Sequence, residues 1–452
     1  MRLTDHQLVA LFTELLGADR VLAFASLNSH LHDRIVQSLT PDSLPPACVI
    51  YPQTIDELSK VIALAYVQRL RVLPCGNATK LDWGGLVSRA DVVVSTSRIN
   101  QIVEHCVGDL TVKVQAGVNY QDLQAVLGKE GQFWAIDPPY GADATIGGIL
   151  ATGSAGSLRH RYNSVRDMCL GVEFVRSDGE VVKAGGRVVK NVAGYDLMKL
   201  LTGSYGTLGI VSSITFRLYP LPEFTQIVVA TGAAEAIAQL QQKISTSVLT
   251  PTACDVLSAS VIAKLDLGEG IGLAVQFSSL KISVLEQGDR LAVIAKELNL
   301  KVQIIEAVTD FWRSLENLLW QNELRHASSS TNHPVVCKLG ILPSATVSIM
   351  QQCQQIFTQQ SYLLQIHAGS GLGVLRIENG TSPQIAEQLA QVKRIAEAQS
   401  GFLSLLEAPQ ELKFNHQVLG NVWGYTGNAR DLMVKIQQQF DPRGLLSPER
   451  LI

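Results

Sequence analysis

The sequence predicts an α+β protein built from two large domains, and three observations carry this reading. At 452 residues the chain is too long for one compact core. Between about Pro45 and Pro222, valine-rich strand runs and helical runs mix without strict βαβ alternation, which is the pattern of an α+β domain. After Glu223 the texture changes: glutamine becomes frequent and glycine clusters thin out, while strand-like and helical runs continue. The expected parts are a helical segment over 1–44, a first domain over 45–222, a second over 223–410 and a closing segment over 411–452.

The opening run "MRLTDHQLVALFTELLG" sets Asp5, His6 and Glu14 among apolar residues and predicts an amphipathic helix, not a signal peptide. Pro41, Pro45, Pro46 and Pro52 break the helical pattern around a short strand at 48–51. Thr54 then suits a helix N-cap, with Glu57 three residues on and apolar residues at Leu58, Val61, Ile62 and Ala65. "RVLPCG", "ADVVVST" and "LTVKVQAGV" read as strands, and "YQDLQAVLGKEG" as a helix ended by glycine. Residues 168–186 predict a hairpin turning at Ser177-Asp178-Gly179, and "GTLGIVSSITFRLYPLPE" a strand closed by prolines. In the second domain "TQIVVAT", "IGLAVQF", "VQIIEAV" and "VVCKLGIL" are strand-like, "AAEAIAQLQQKI", "LEQGDRLAVIAKEL" and "IAEQLAQVKRIAEAQ" helical. "TDFWRSLENLLW" has core spacing, and "ARDLMVKIQQQF" is a last helix.

Composition narrows the function. Lys plus Arg is 37 and Asp plus Glu 40, a balance that gives no support to nucleic-acid binding. No apolar run is long enough to span a bilayer, so a cytoplasmic protein is expected, with peripheral membrane docking only through partners. The seven cysteines form no Cys-x-x-Cys pair, and the histidines are scattered. No metal site, iron–sulfur cluster or disulfide framework is expected.

Three glycine-rich stretches lie in the first domain: "PCGNATKLDWGG" (74–85), "GADATIGGILATGSAGSLRHRYNSVRD" (141–167) and "GGRVVKNVAGYDLMKLLTGSYGTLGIV" (185–211). The first follows a strand, where successive backbone N–H groups can converge on an anion with no Cβ in the way. Neither Gly203, Gly206 and Gly209 nor "GSGLGV" at 369–374 spells the nicotinamide fingerprint G-x-G-x-x-G.

In this order, with the hairpin between, the stretches resemble the FAD-binding domain of the vanillyl-alcohol oxidase and p-cresol methylhydroxylase (PCMH-type) superfamily. The third stretch is the most specific piece. It is similar to the flavin subunits of bacterial glycolate oxidase, most of all to the smaller of the two, and the tail "FDPRGLLSPERLI" resembles the end of the same proteins. The resemblance implies a two-subdomain FAD-binding domain, a cap domain over the flavin ring, and a closing segment that packs back on the FAD domain. It implies that Cys75, Gly76, Asn77, Ala78 and Thr79 grip the pyrophosphate. Thr145, Gly147, Gly148, Ala151, Thr152, Gly153 and Ser157 would lie along the ribityl and isoalloxazine parts, and Gly209, Ile210 and Val211 would help hold the adenine half. This sequence departs from the family where Cys75, Asn77 and Ala78 replace an Arg and two Gly, and where Ser447-Pro448-Glu449-Arg450 replaces Asn-Pro-Gly. Asn tolerates left-handed backbone, so the loop is expected to survive. No histidine lies between His32 and His105, so FAD is expected to be non-covalent.

For chemistry, His367 has two readings: a base that takes the hydroxyl proton of a 2-hydroxy acid, or a packed histidine. Lys338 and Arg376 are candidates to hold a carboxylate. Lys190, Tyr195 and Asp196 either line the site or make a salt bridge and a buried tyrosine, and Arg159, His160 and Arg161 read as a solvated basic face. The resemblance implies an FAD-dependent oxidoreductase acting on CH–OH donors, a flavin subunit of a glycolate-type dehydrogenase. A second flavin subunit and an iron–sulfur subunit are the implied partners in a hetero-oligomer. The alternative is a catalytically silent flavin subunit with a structural or electron-relay role.

Overall fold

The computed structural model describes residues 3–186, 194–320, 333–380, 384–414, 420–425 and 428–451; Lys190 lies outside them. The chain divides into two compact units. The first comprises 1–155, 164–221 and 425–452, the second 156–163 and 222–424.

The first unit carries β1 (Val21–Ala23), β2 (Cys48–Ile50), β3 (Val72–Cys75), β4 (Val92–Ser95), β5 (Ile102–Cys106), β6 (Thr111–Gln115), β7 (Gln132–Phe133), β8 (Cys169–Val175), β9 (Val181–Gly185), β10 (Ile210–Arg217) and β11 (Tyr219–Pro220). A four-stranded sheet runs β1-β2-β4-β3, with β4 parallel to both β2 and β3. Every residue of β2 and β4 is buried, which is why both read as unbroken apolar runs rather than alternating ones. Each fully buried valine of β4 contributes about 1.5–3 kcal/mol. A five-stranded antiparallel sheet runs β5-β6-β10-β8-β9. Its hairpin β8–β9 matches the turn signal at 177–179, and the edge strand β9 alternates exposed and half-buried residues while β8 inside it is wholly buried.

Helix Ile55–Gln68 starts where Thr54 accepts a hydrogen bond from the Glu57 amide at 3.1 Å, and buries Leu58, Val61, Ile62 and Ala65. Glu57 closes the cap by accepting from the Gln53 amide at 2.7 Å. The tail packs onto the first sheet: the Val72 amide donates to Leu445 and the Ser447 amide to Val72, so residues 445–447 extend β3 on the side away from β4.

The second unit is one eight-stranded antiparallel sheet. Its strands are β12 (Phe224–Gly232), β13 (Ala253–Leu257), β14 (Ile271–Ser279), β15 (Lys301–Ile305), β16 (Val335–Gly340), β17 (Tyr362–His367), β18 (Leu372–Ile377) and β19 (Phe402–Glu407). Their order is β15-β12-β14-β13-β17-β18-β16-β19. Side chains alternate along each strand, so register decides the faces. One face collects Cys254, Val256, Leu273, Val275, Cys337, Leu339, Leu364, Ile366, Leu375 and Leu403 into the core, with Ile237, Leu240, Leu291, Met350 and Leu389 of four helices. The register puts Asp255 opposite His367, Gln365 opposite Val374, Arg376 opposite Val336 and Lys338 opposite Ser404 on the other face. That face is polar. Helix Val308–Trp320 buries Phe311, Leu315, Leu319 and Trp320, and its Trp312 Nε1 donates to Gln276 at 2.5 Å.

Candidate functional site

In the first unit the loop leaving β3 opens a pocket. Its wall is made by Cys75, Gly76, Asn77, Ala78 and Thr79 from that loop, Thr145, Gly147, Gly148, Ala151 and Thr152 from the second glycine-rich stretch, and Gly209, Ile210 and Val211 at the start of β10. Three segments far apart in sequence thus meet at one cavity. Gly153 and Ser157, expected beside them, are not part of its lining; Ser157 belongs to the second unit.

At two glycines the pocket wall is packed too closely for a side chain. A Cβ on Gly76 would stand 2.0 Å from Thr145 Oγ1, and one on Gly206 2.6 Å from Pro74 Cγ. The left-handed residue of the loop is Ala78, at φ 58°, not Asn77, which instead ties the loop down by donating from Nδ2 to the Asp143 carbonyl at 2.8 Å. Burial pushes the Cys75 thiol up to about 12, against the lowering by Ser95 and Arg450. A thiol held so far from ionisation is a poor nucleophile. The pocket fits FAD: backbone and small residues leave room for an elongated ligand, and among the described residues no carboxylate lines the wall to oppose a pyrophosphate.

Sequence reasoning missed three large side chains of the lining. Lys80 is buried with its ammonium 5.7 Å from the Trp83 ring and 5.8 Å from that of Tyr140. Arg450 reaches the pocket from the tail, donating from Nη2 to the carbonyls of Leu81 at 2.5 Å and Trp83 at 3.1 Å. Tyr205, in the third glycine-rich stretch, lies with Arg450 5.5 Å over its ring. The signal for Lys80 is in the first loop itself; for Arg450, only the position of the tail supplies it.

In the second unit the polar sheet face holds a buried hydrogen-bond network. Asp255 Oδ1 stands 2.6 Å from His367 Nδ1, and Oδ2 accepts from Ser157 Oγ and, at 2.9 Å, from Gln365 Nε2. Gln365 also donates to Ser157 Oγ at 3.1 Å. Burial alone would raise the Asp255 carboxyl, but the His367 charge and the hydrogen bonds from His367, Ser157 and Gln365 outweigh it and hold it below the usual range. Asp255 is therefore an acceptor only, and the His367 nitrogen facing it carries a proton. In the neutral ring this leaves the lone pair on Nε2.

Beside this network lie groups with shifted protonation. The short helix Arg159–Tyr162 carries His160, half-buried, whose imidazole is held below its usual value by burial, with Asp255 raising it and His367 lowering it. A Cβ on Gly369 would stand 2.7 Å from His160 Nδ1, so the glycine makes room for the ring. The expectation of a solvated basic face holds for Arg161, which is exposed, and not for Arg159 and His160. Lys338 is lowered to about 8, first by burial and then by the Arg159 charge. Arg376 is buried, with Nη1 donating to the Leu319 carbonyl at 3.4 Å and Nη2 3.7 Å from Glu378. Tyr195 is exposed, and Asp196 pairs with Lys199 at 2.8 Å. Among the described residues no group of three or more His, Cys, Asp or Glu could hold a metal ion, and no helix is long and apolar enough to cross a membrane.

Comparison with known proteins gives this geometry its relatives. Residues 46–185 match the family described as FAD binding domain. The chain is 26% identical over 425 residues to "D-lactate dehydrogenase [cytochrome], mitochondrial" of Arabidopsis thaliana, covering 90% of this chain and 73% of that protein. It is 30% identical to "Glycolate oxidase subunit GlcD" of Bacillus subtilis, covering 58% of this chain and 55% of that one. The structure of p-cresol methylhydroxylase with substrate bound superposes with a TM-score of 0.75 at 15% identity, over 98% of this chain and 96% of that one, which shows a shared fold.

Proposed function

We propose that this chain, whose residues 46–185 match the FAD binding domain family and whose fold is shared with p-cresol methylhydroxylase, is an FAD-dependent oxidoreductase of the vanillyl-alcohol oxidase and p-cresol methylhydroxylase superfamily that oxidises a small 2-hydroxy acid such as glycolate or D-lactate to the 2-oxo acid. Bound FAD supplies the two-electron acceptor that this reaction needs. The residues 75–79, 145–152 and 209–211 hold it, and the one thiol of the lining, Cys75, is held far from ionisation.

The observation that carries the proposal is the His367–Asp255 pair. Oxidation of a carbinol removes a hydride from carbon and a proton from oxygen. His367 Nε2 accepts that proton while Asp255 keeps the ring oriented and stabilises the imidazolium that forms. Lys338, with Arg159 nearby, supplies positive charge for the substrate carboxylate. Arg376 is committed to Glu378 and the Leu319 carbonyl and serves the sheet instead.

A second reading rests on one feature of the same network. Asp255 takes bonds from three donors, and a fully satisfied buried network can exist for packing alone. On that reading the chain is a silent flavin subunit relaying electrons beside a catalytic flavin subunit and an iron–sulfur subunit. Anaerobic mixing of the purified flavoprotein with glycolate or D-lactate separates the two. Bleaching of the flavin band by the chain alone supports the dehydrogenase; bleaching only after a partner is added supports the relay.

A further inference from the structure

The FAD pocket is not electrically neutral. Among the described residues its lining contains two cationic side chains, Lys80 and Arg450, and no carboxylate. Both are buried, at 6% and 3% exposure. Away from water, a charge on the wall acts on a ligand far more strongly than the same charge would at the surface. Two cations in the lining equal in number the two negative charges of a diphosphate.

The two cations are also held in place. Lys80 sits against the faces of Trp83 and Tyr140, which favour a cation there. Arg450 is fixed by the carbonyls of Leu81 and Trp83, in the loop that also presents the backbone of residues 75–79. The tail that carries it is pinned to β3 by the Val72–Leu445 and Ser447–Val72 backbone bonds.

We infer that Lys80 and Arg450 form a charge pair that recognises the diphosphate of the flavin dinucleotide, and that this pair, added to the backbone loop, makes the pocket select FAD over flavins lacking a diphosphate. The inference rests on the FAD reading of this pocket. It assigns to two side chains, one of them from the tail, a part of the binding that the family resemblance gave to residues 75–79 alone.

The test is a titration of flavin-free protein with FAD and with riboflavin, followed by quenching of flavin fluorescence, for wild type, Lys80→Met, Arg450→Met, Lys80→Arg and Arg450→Lys. Each neutral variant is expected to weaken FAD binding about ten- to a hundred-fold, the size of a lost hydrogen bond to a charged group. Riboflavin binding is expected to stay unchanged, and the charge-keeping variants are expected to recover most of the FAD affinity. Equal losses for FAD and riboflavin, or FAD affinity unchanged in both neutral variants, overturn the inference. If wild type binds no FAD at all, it is the FAD reading that fails, a result distinguishable from either. Thermal unfolding of the flavin-free variants checks that they fold, and a variant that does not is replaced by its Gln counterpart.

Discussion

His367 Nδ1 lies 2.6 Å from Asp255 Oδ1, across the antiparallel pairing of β13 and β17 in which these two residues are register partners. An acceptor-only carboxylate on Nδ1 decides which nitrogen is left to take a proton. Replacing Asp255 by Asn removes that constraint, because an amide can either accept or donate. Asp255→Asn is therefore expected to slow flavin reduction by a 2-hydroxy acid about 10²–10⁴-fold while leaving FAD affinity unchanged. Anaerobic stopped-flow absorbance reads the first and fluorescence titration the second. An undiminished rate would remove His367 from the mechanism.

The same pair makes stability depend on pH in a definite direction. The Asp255 carboxyl is held below its ordinary 3.8 in the folded protein, by the His367 charge and the three hydrogen bonds acting against burial. The unfolded chain therefore binds a proton first as the pH falls. The stabilisation is fully present above the unfolded value and is lost as pH drops through the lower folded one. Urea unfolding from about pH 6 to about pH 3 should show wild type losing its advantage over Asp255→Asn toward the acid end. A gap that is constant across this range would contradict the assignment.

Lys338 shifts stability in the same direction with pH, but its buried charge costs stability where the Asp255 charge adds to it. The folded protein releases its proton at about 8, the unfolded chain near the ordinary 10.5. Between them the folded state binds fewer protons, so stability rises with pH. Lys338→Met is expected to gain about 1–3 kcal/mol near neutral pH and to lose that gain toward about pH 10. Its KM for the acid should rise at the same time, because the charge that meets the carboxylate is gone. Chemical denaturation and steady-state kinetics on one preparation measure both.

The cofactor loop gives a paired prediction. Gly76→Ala would set a methyl 2.0 Å from Thr145 Oγ1, so it should abolish FAD binding and lower the melting temperature. Ala78→Gly should do the reverse. Ala78 holds φ 58°, a conformation that costs an L-residue about 1–2 kcal/mol, and glycine relieves it. Differential scanning fluorimetry with and without FAD distinguishes the two.

What can be read from the sequence is what local chemistry determines. The Thr54 cap, the hairpin at 177–179, the buried valines of β4 and the three glycine-rich stretches follow from neighbours in the chain, and all have counterparts in the structure. What escapes is set by register and distance. Asp255 and His367 are 112 positions apart and meet only because two strands pair. Ser157 stands among glycines in the chain, yet the segment 156–163 belongs to the other unit and the hydroxyl goes to Asp255. Arg450 carries no local signal at all; it matters because the tail lies along β3. By residue type Asn77 suits left-handed backbone, yet Ala78 has it, since the Asn77 side chain is spent on Asp143.

The strand that launches the cofactor loop is completed on one side by residues 445–447. A nascent chain emerging from the ribosome can therefore assemble most of this unit yet still lack the neighbour that braces β3 and the arginine that follows it. Flavin capture should be a late event in biosynthesis, falling after residue 450 has cleared the exit tunnel rather than when the glycine-rich stretches are first made.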